Sequence, residues 1–230
     1  MDYTIGLIDE EEGQLRTIRS TIKTYISHHD KDISVKFKVY SLEGSAEALS
    51  ESVTQDVIND IIAGEISSLI IDYKIMIQSA MVEGTDIYKK IAEHAPKFPV
   101  IILTDFPDHC YEKDFVDADK VYWKYNFFKI EEEYSKEKTK NIIVNMERYN
   151  RQRAELFTDL TENLSKLRND EFSQEVYQKL ILVEQRLDDF YPQGQSQIEK
   201  ALEIEDLKKA VDLLKEVDAL VGDSDETESV

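Results

Sequence analysis

Short apolar runs alternate with longer amphipathic stretches along the first half of the chain. The runs have the length and β-branched content of strands, whereas the longer stretches repeat apolar residues every three or four positions, as helices do. Strands that alternate with helices predict a parallel sheet covered by helices on both faces. The pattern predicts strands at 3–8, 34–40, 67–71, 100–103 and 120–123, and helices at 11–26, 45–62 and 84–95.

The predicted strands differ in how they distribute polar residues. The runs 67–71 and 100–103 are continuously apolar, which is typical of strands buried on both faces. The run 34–40 alternates apolar and polar residues, which is the period of a half-buried strand. We therefore expect 34–40 to lie at an edge of the sheet.

From about residue 132 the pattern changes to helix alone. Apolar stripes at helical spacing run over 143–167, 176–190 and 204–214, and the first stripe keeps roughly heptad-like spacing. A Pro-Gln-Gly turn at 192–194 separates the second stripe from the third. These helices are expected to form a bundle or coiled coil that packs on itself, dimerises or docks a protein partner.

The change of pattern sets the predicted domain boundaries. We predict an α/β domain at 1–150 and an α-helical domain at 151–221. The residues from 222 to 230 carry four acidic side chains and no basic one, so we predict an acidic, disordered tail there.

Composition narrows the classes of partner. The net charge is -20, from 48 acidic and 28 basic residues, which disfavours binding to nucleic acid or to an anionic membrane. A single cysteine, Cys110, excludes an internal disulfide and fits a reducing compartment. We find neither a signal-peptide pattern nor a membrane-spanning stretch, so we expect a cytoplasmic protein.

Polar side chains stand where the predicted strands end. Asp9 and Glu10 follow the first strand, Asp72 the third, Thr104 the fourth and Lys124 the fifth. Ligands of parallel sheets bind beyond the carboxyl ends of the strands, so these side chains are expected to converge. Carboxylate oxygens suit Mg²⁺, and a carboxylate beside Mg²⁺ can attack a phosphoryl group. The ammonium and the hydroxyl would then neutralise the phosphoryl oxygens and donate to them.

With these residues in place, the chain resembles the receiver domain of bacterial response regulators. The resemblance covers about residues 1–150 and follows the order of the family. It is carried by the segments 5–11 (IGLIDEE), 69–74 (LIIDYK), 83–91 (EGTDIYKKI), 100–104 (VIILT) and 118–127 (ADKVYWKYNF).

The resemblance implies a fold and a set of roles. The fold would be flavodoxin-like, a doubly wound five-stranded parallel sheet with strand order 2-1-3-4-5. Asp72 would accept the phosphoryl group, Thr104 would sense it and Lys124 would pair with it. The implied Mg²⁺ ligands are Asp9, Glu10, Asp72 and the backbone carbonyl of Lys74.

Some positions depart from the family pattern. Asp105 stands where a small residue is usual, Tyr125 where proline is usual, and Val121 where the switch aromatic is usual. The loop after Asp72 is long and lacks the usual proline. These departures leave a second interpretation open, a pseudo-receiver that acts as a non-phosphorylated interaction module. A Mg²⁺-dependent phosphatase is a third, but we identify no second acid–base residue for it.

The function expected from the resemblance is two-component signal transduction. Phosphorylation of Asp72 by a sensor histidine kinase or a phosphotransfer protein would control the C-terminal helices. Those helices would bind a protein partner or form a homodimer. The chain would be a phosphoryl acceptor and would act as an enzyme only on itself.

Overall fold

The computed structural model of the chain describes residues 2–30, 32–42, 46–77, 80–168 and 174–190. The predicted helix at 204–214, the turn at 192–194 and the predicted acidic tail lie outside the described residues. The described strands are β1 (Asp2–Ile8), β2 (Ser34–Val39), β3 (Ser68–Asp72), β4 (Lys74–Ile77), β5 (Ala80–Glu83), β6 (Val100–Thr104) and β7 (Val121–Trp123). The described α-helices are α1 (Glu12–His29), α2 (Ala46–Ala63), α3 (Gly84–His94), α4 (Pro107–Tyr111), α5 (Lys124–Phe127), α6 (Glu133–Arg168) and α7 (Gln174–Asp188).

Five of the strands form a parallel sheet in the order β2-β1-β3-β6-β7. The protein is therefore an α/β protein, as the alternating pattern predicted. All residues of β3 and β6 are buried, and β2 is the partly exposed edge strand, which confirms the predicted placement. Continuous apolar runs lose water on both faces, whereas the alternating run keeps one face in solvent.

In chain numbering the sheet order is 2-1-3-6-7 and not the predicted 2-1-3-4-5, because two unpredicted strands that do not join this sheet follow β3. These strands, β4 and β5, pair antiparallel as a separate hairpin. The segment that we expected to be a long loop therefore has regular structure. Its buried Ile75 and Ile77 flank the exposed Met76, which is the alternation of a strand with one covered face.

Helices cover both faces of the five-stranded sheet. On one face, Leu15, Ile18 and Ile22 of α1 and Met146 of α6 join the inward side chains of the central strands in one buried cluster. On the other face, α3 packs against β3 and α2 packs against α3. The core thus lies in two layers around the sheet, and its strand ends are left free to carry polar side chains.

Helix α6 continues without a break through residue 150, where we predicted a domain boundary. The middle of α6 is hydrogen-bonded to the segment that leads from the end of α2 into β3. The Asn150 side chain donates to Ser67 Oγ at 2.8 Å, and Arg153 Nη2 donates to the backbone carbonyl of Ile62 at 2.9 Å. Tyr149 packs between the rings of Phe98 and Phe190. The division at residue 150 and the coiled coil stay predictions.

Within the described part of the chain, no helix combines the length and the apolar character needed to cross a membrane.

Gly84, the first residue of α3, makes a close approach to the backbone of Asp72. A Cβ on Gly84 would overlap the carbonyl oxygen of Asp72 and lie 2.7 Å from Ile71 Cγ2. Because the first of these neighbours is backbone, it cannot yield by rotating a side chain. We expect Gly84→Ala to lower the free energy of unfolding by about 1–3 kcal/mol.

The matched control is Gly13→Ala on α1, where an added Cβ meets nothing within 4 Å. That substitution is expected to stabilise the protein by about 0.5–1 kcal/mol, because alanine favours a helix over glycine. Urea unfolding of both variants measures the difference. Equal effects of the two substitutions would contradict the close approach at Gly84.

Candidate functional site

A buried lysine joins two buried aspartates at the carboxyl edge of the sheet. Asp9 follows β1, Asp72 ends β3, and Lys124 follows β7. Lys124 Nζ lies 2.9 Å from Asp72 Oδ2 and 3.2 Å from Asp9 Oδ2. The exposed fractions are 4% for Asp9, 9% for Asp72 and 3% for Lys124. These ion pairs are therefore largely shielded from solvent. The structure thus brings together three of the predicted site residues.

The short turn that follows β1 orients the carboxylate of Asp9. Its Oδ1 atom accepts a hydrogen bond from the backbone N–H of Glu11 at 2.8 Å, while Oδ2 faces Lys124. Both oxygens are therefore held in place, one by the start of α1 and one by the buried ammonium. A carboxylate with both oxygens engaged has little freedom to rotate.

Glu10 adds a third carboxylate to those of Asp9 and Asp72, and we call these three residues the acidic group. Its side chain reaches the hairpin of β4 and β5. Its Oε1 atom accepts a hydrogen bond from the backbone N–H of Met76 at 3.0 Å. Its Oε2 atom is buried and makes no hydrogen bond to any described residue. One oxygen each from Asp9, Glu10 and Asp72 lie within 4.8 Å of one another.

This donor set fits a hard divalent cation. The group holds three carboxylates, and among the described residues Lys124 is the ammonium that pairs with Asp9 and Asp72, so the ionised cluster carries an excess of negative charge. A buried oxygen without a hydrogen-bond partner is costly, and a cation would satisfy it. Oxygen donors alone do not distinguish Mg²⁺ from other hard cations. The backbone carbonyl of Lys74 stays a predicted ligand.

Burial raises the pKa of Asp72 to about 6, from 3.8 for a free side chain. The nearby charge of Lys124 opposes this rise, whereas the carboxylates of Asp9 and Glu10 add to it. Burial also raises the pKa of Asp9, again against the attraction of Lys124. At both aspartates desolvation thus outweighs the attraction of the Lys124 ammonium.

Thr104 ends β6 and is 1% exposed. In the strand pairing Leu103 lies opposite Asp72, which places Thr104 one step further toward the rim. Its hydroxyl oxygen accepts a hydrogen bond from the backbone N–H of Phe106 at 2.9 Å. The hydroxyl proton can still be donated to another acceptor at that edge.

Of the positions that depart from the receiver pattern, Asp105 and Tyr125 follow β6 and β7 at this edge, whereas Val121 is the first residue of β7. Asp105 is exposed, and so are Trp123 and Tyr125, whose rings lie 5.8 Å apart. Val121 and Tyr122 are buried in β7. The aromatic side chains of this segment therefore divide between the core and the surface.

The hairpin makes further contacts at this edge that we did not predict from the sequence. Lys113 Nζ lies 2.7 Å from Glu83 Oε2, and the Tyr73 hydroxyl donates to Glu83 Oε1 at 3.3 Å. The bond from Lys113 lowers the pKa of Glu83. Lys74 Nζ lies 3.6 Å from the centre of the Phe106 ring. The Ile75–Ile77 alternation was the one available signal for the hairpin.

Comparisons with known proteins return no matching protein-family model, no matching curated protein and no matching solved structure.

The raised pKa of Asp72 predicts a pH-dependent effect of Asp72→Asn on stability in cation-free buffer. A raised pKa means that the folded protein binds the proton more tightly than the unfolded chain. The proton on Asp72 therefore stabilises the folded protein. This stabilisation is complete below about pH 4 and is lost as pH rises through about 6. Asparagine mimics the protonated carboxyl, so the variant should exceed the wild type by up to about 3 kcal/mol at pH 7.5.

Urea unfolding between pH 4 and pH 8 measures this difference, which should shrink as pH falls. Asp114→Asn, at an exposed position after α4, is the control and should leave the profile unchanged. A variant at position 72 that is less stable than the wild type at pH 7.5 would show that the Lys124 ion pair outweighs desolvation.

Proposed function

We propose that the chain is a phospho-accepting response regulator with a flavodoxin-like receiver domain, and that Asp72 is the phosphoacceptor. The observation that carries the proposal is the buried Asp72 carboxylate 2.9 Å from the Lys124 ammonium, beside Asp9 and Glu10. Its place at the carboxyl edge of a parallel sheet is where such folds bind ligands.

The proposed chemistry is a phosphoryl transfer to Asp72. A carboxylate oxygen forms a bond to phosphorus, while the bond from phosphorus to the donor breaks and the donor takes the electron pair. Lys124 pairs with the phosphoryl oxygens, and the Thr104 hydroxyl donates to one of them. Mg²⁺, when bound, would neutralise charge on these oxygens. Asp9, Glu10 and Asp72 would hold it, with the Lys74 carbonyl.

The proposed donors are a sensor histidine kinase or a phosphotransfer protein. The proposed output is control of the C-terminal helices, which would bind a protein partner or form a homodimer. Two bonds near Lys124 support a mechanical link to those helices. The Tyr134 hydroxyl accepts from the N–H of Trp123 at 2.9 Å, and the Ser135 hydroxyl donates to the carbonyl of Phe127 at 2.6 Å. Both polar side chains belong to the first turn of α6.

Incubation of the full chain with acetyl phosphate and Mg²⁺, followed by intact mass, tests the proposal. We expect one phosphoryl adduct on the wild type and none on Asp72→Asn. Asp114→Asn is the matched control, since it removes an exposed carboxylate, and it should be phosphorylated like the wild type. A folded wild-type protein without an adduct would contradict the proposal.

The proposed link to the helices predicts that phosphorylation changes amide hydrogen exchange along α6, in residues 140–168. The physical reason is that the first turn of this helix is bonded to Trp123 and Phe127, the first and last residues of the Lys124 segment, which we define as residues 123–127. Asp72→Asn, treated in the same way, should show no change. Identical exchange in the free and phosphorylated wild type would refute the coupling to α6. It would not contradict the proposal that Asp72 is the phosphoacceptor.

A second candidate, the pseudo-receiver, is favoured by one observation. Lys124 pairs with both Asp9 and Asp72, so the two carboxylates already have a buried cationic partner within the protein. A site closed in this way could serve only to brace the fold of an interaction module. The two candidates differ in the outcome of the acetyl phosphate experiment.

A further inference from the structure

The hairpin formed by β4 and β5 begins immediately beside the acidic group. Only Tyr73 separates Asp72 from β4. Cross-strand partners run from Lys74 opposite Glu83 to Ile77 opposite Ala80. The hairpin is therefore tied to Asp72 by the chain itself.

One backbone group of the hairpin points at the cluster instead of at its partner strand. In an antiparallel pair, alternate residues direct their N–H groups away from the partner. The N–H of Met76 is such a group, and it donates to Glu10 Oε1 at 3.0 Å. This hydrogen bond spans 66 positions in the sequence and joins β4 to the loop between β1 and α1.

We propose that the Met76 amide is a positioning group for cation binding, because it holds Glu10 in the geometry of a ligand. This inference rests on the cation site of the proposed function. With Oε1 held by the hairpin, the carboxylate of Glu10 cannot rotate freely. Its Oε2 atom is then the oxygen left for a cation, and this atom is buried and has no hydrogen-bond partner among the described residues. Hydrogen bonds to a ligand of this kind orient it and raise its affinity for the metal.

Two side-chain contacts hold the hairpin against the segment between β6 and β7, residues 105–120. Lys74 lies over the ring of Phe106, and Lys113 pairs with Glu83. Each contact fixes a different strand, so the amide of Met76 has a defined position. The geometry of Glu10 thus depends on the segment between β6 and β7 as well as on its own loop.

The coupling must act in both directions. If the hairpin raises the affinity of Glu10 for a cation, the cation stabilises the hairpin by the same factor. Binding of Mg²⁺ is therefore expected to slow hydrogen exchange at the described amides of the hairpin.

The test compares two substitutions at Met76 in the full chain. Met76→Pro removes the N–H, and Met76→Ala keeps it while removing the exposed side chain. Because this N–H points away from β5, proline costs no bond within the hairpin. Titration calorimetry with Mg²⁺ alone should give wild-type affinity for Met76→Ala and a loss of about 10–100-fold for Met76→Pro.

Glu10→Gln provides a second measurement, which is needed if Met76→Pro fails to fold. Glutamine keeps an oxygen that accepts from Met76 but loses the anionic ligand. Hairpin exchange in the cation-free variant should match the wild type, and Mg²⁺ should no longer slow it. A general weakening of the fold would instead speed exchange without cation.

The outcomes separate this inference from the proposed function. Suppose first that Asp72→Asn abolishes Mg²⁺ binding, so that the cation site stands. The inference is then wrong if Met76→Pro binds Mg²⁺ as tightly as Met76→Ala does, or if Mg²⁺ fails to slow hydrogen exchange in the hairpin of the wild type. If the wild type shows no Asp72-dependent binding of Mg²⁺, the cation site and the inference both fall.

Discussion

The buried ammonium of Lys124 between Asp9 and Asp72 is the interaction on which this end of the molecule depends. It joins residues from three separate strand ends, at distances of 2.9 and 3.2 Å. Removing the ammonium would leave both buried carboxylates without compensation, and the loss of such a partner typically costs about 3–5 kcal/mol. One ammonium cannot neutralise three carboxylates. The ion pairs therefore hold the strand ends together and still leave a net negative charge at this edge.

The parallel sheet makes this arrangement attainable. Strands β1, β3 and β7 bury apolar side chains over most of their length, and a charged residue stands at the end of each strand or directly after it. Since parallel strands end at one edge, the polar residues meet there without being close in sequence. Gly84 allows α3 to pack directly against the backbone of Asp72, so the position of this carboxylate is set by packing as well as by charge.

The sequence was sufficient to predict the sheet, its edge strand and the meeting of Asp9, Asp72 and Lys124, because each follows from a strong apolar run and its end. The hairpin was not predicted, since its runs are four residues long and follow Asp72 almost directly. The partner of Glu10 could not be predicted at all. It is a backbone amide, which every residue except proline possesses, so no residue type marks it.

The hairpin and α6 place the candidate site between two elements with different mechanical roles. The hairpin contacts the acidic group through the Glu10 bond, and it is short and partly exposed. Helix α6 contacts the Lys124 segment through its first turn and is 36 residues long. We infer that a change of charge at Asp72 would act on both, because Asp72 shares its cluster with Glu10 and its ion pair with Lys124. Under the proposed function, phosphorylation of this one carboxylate would reach α6 through the two hydrogen bonds at the first turn of that helix.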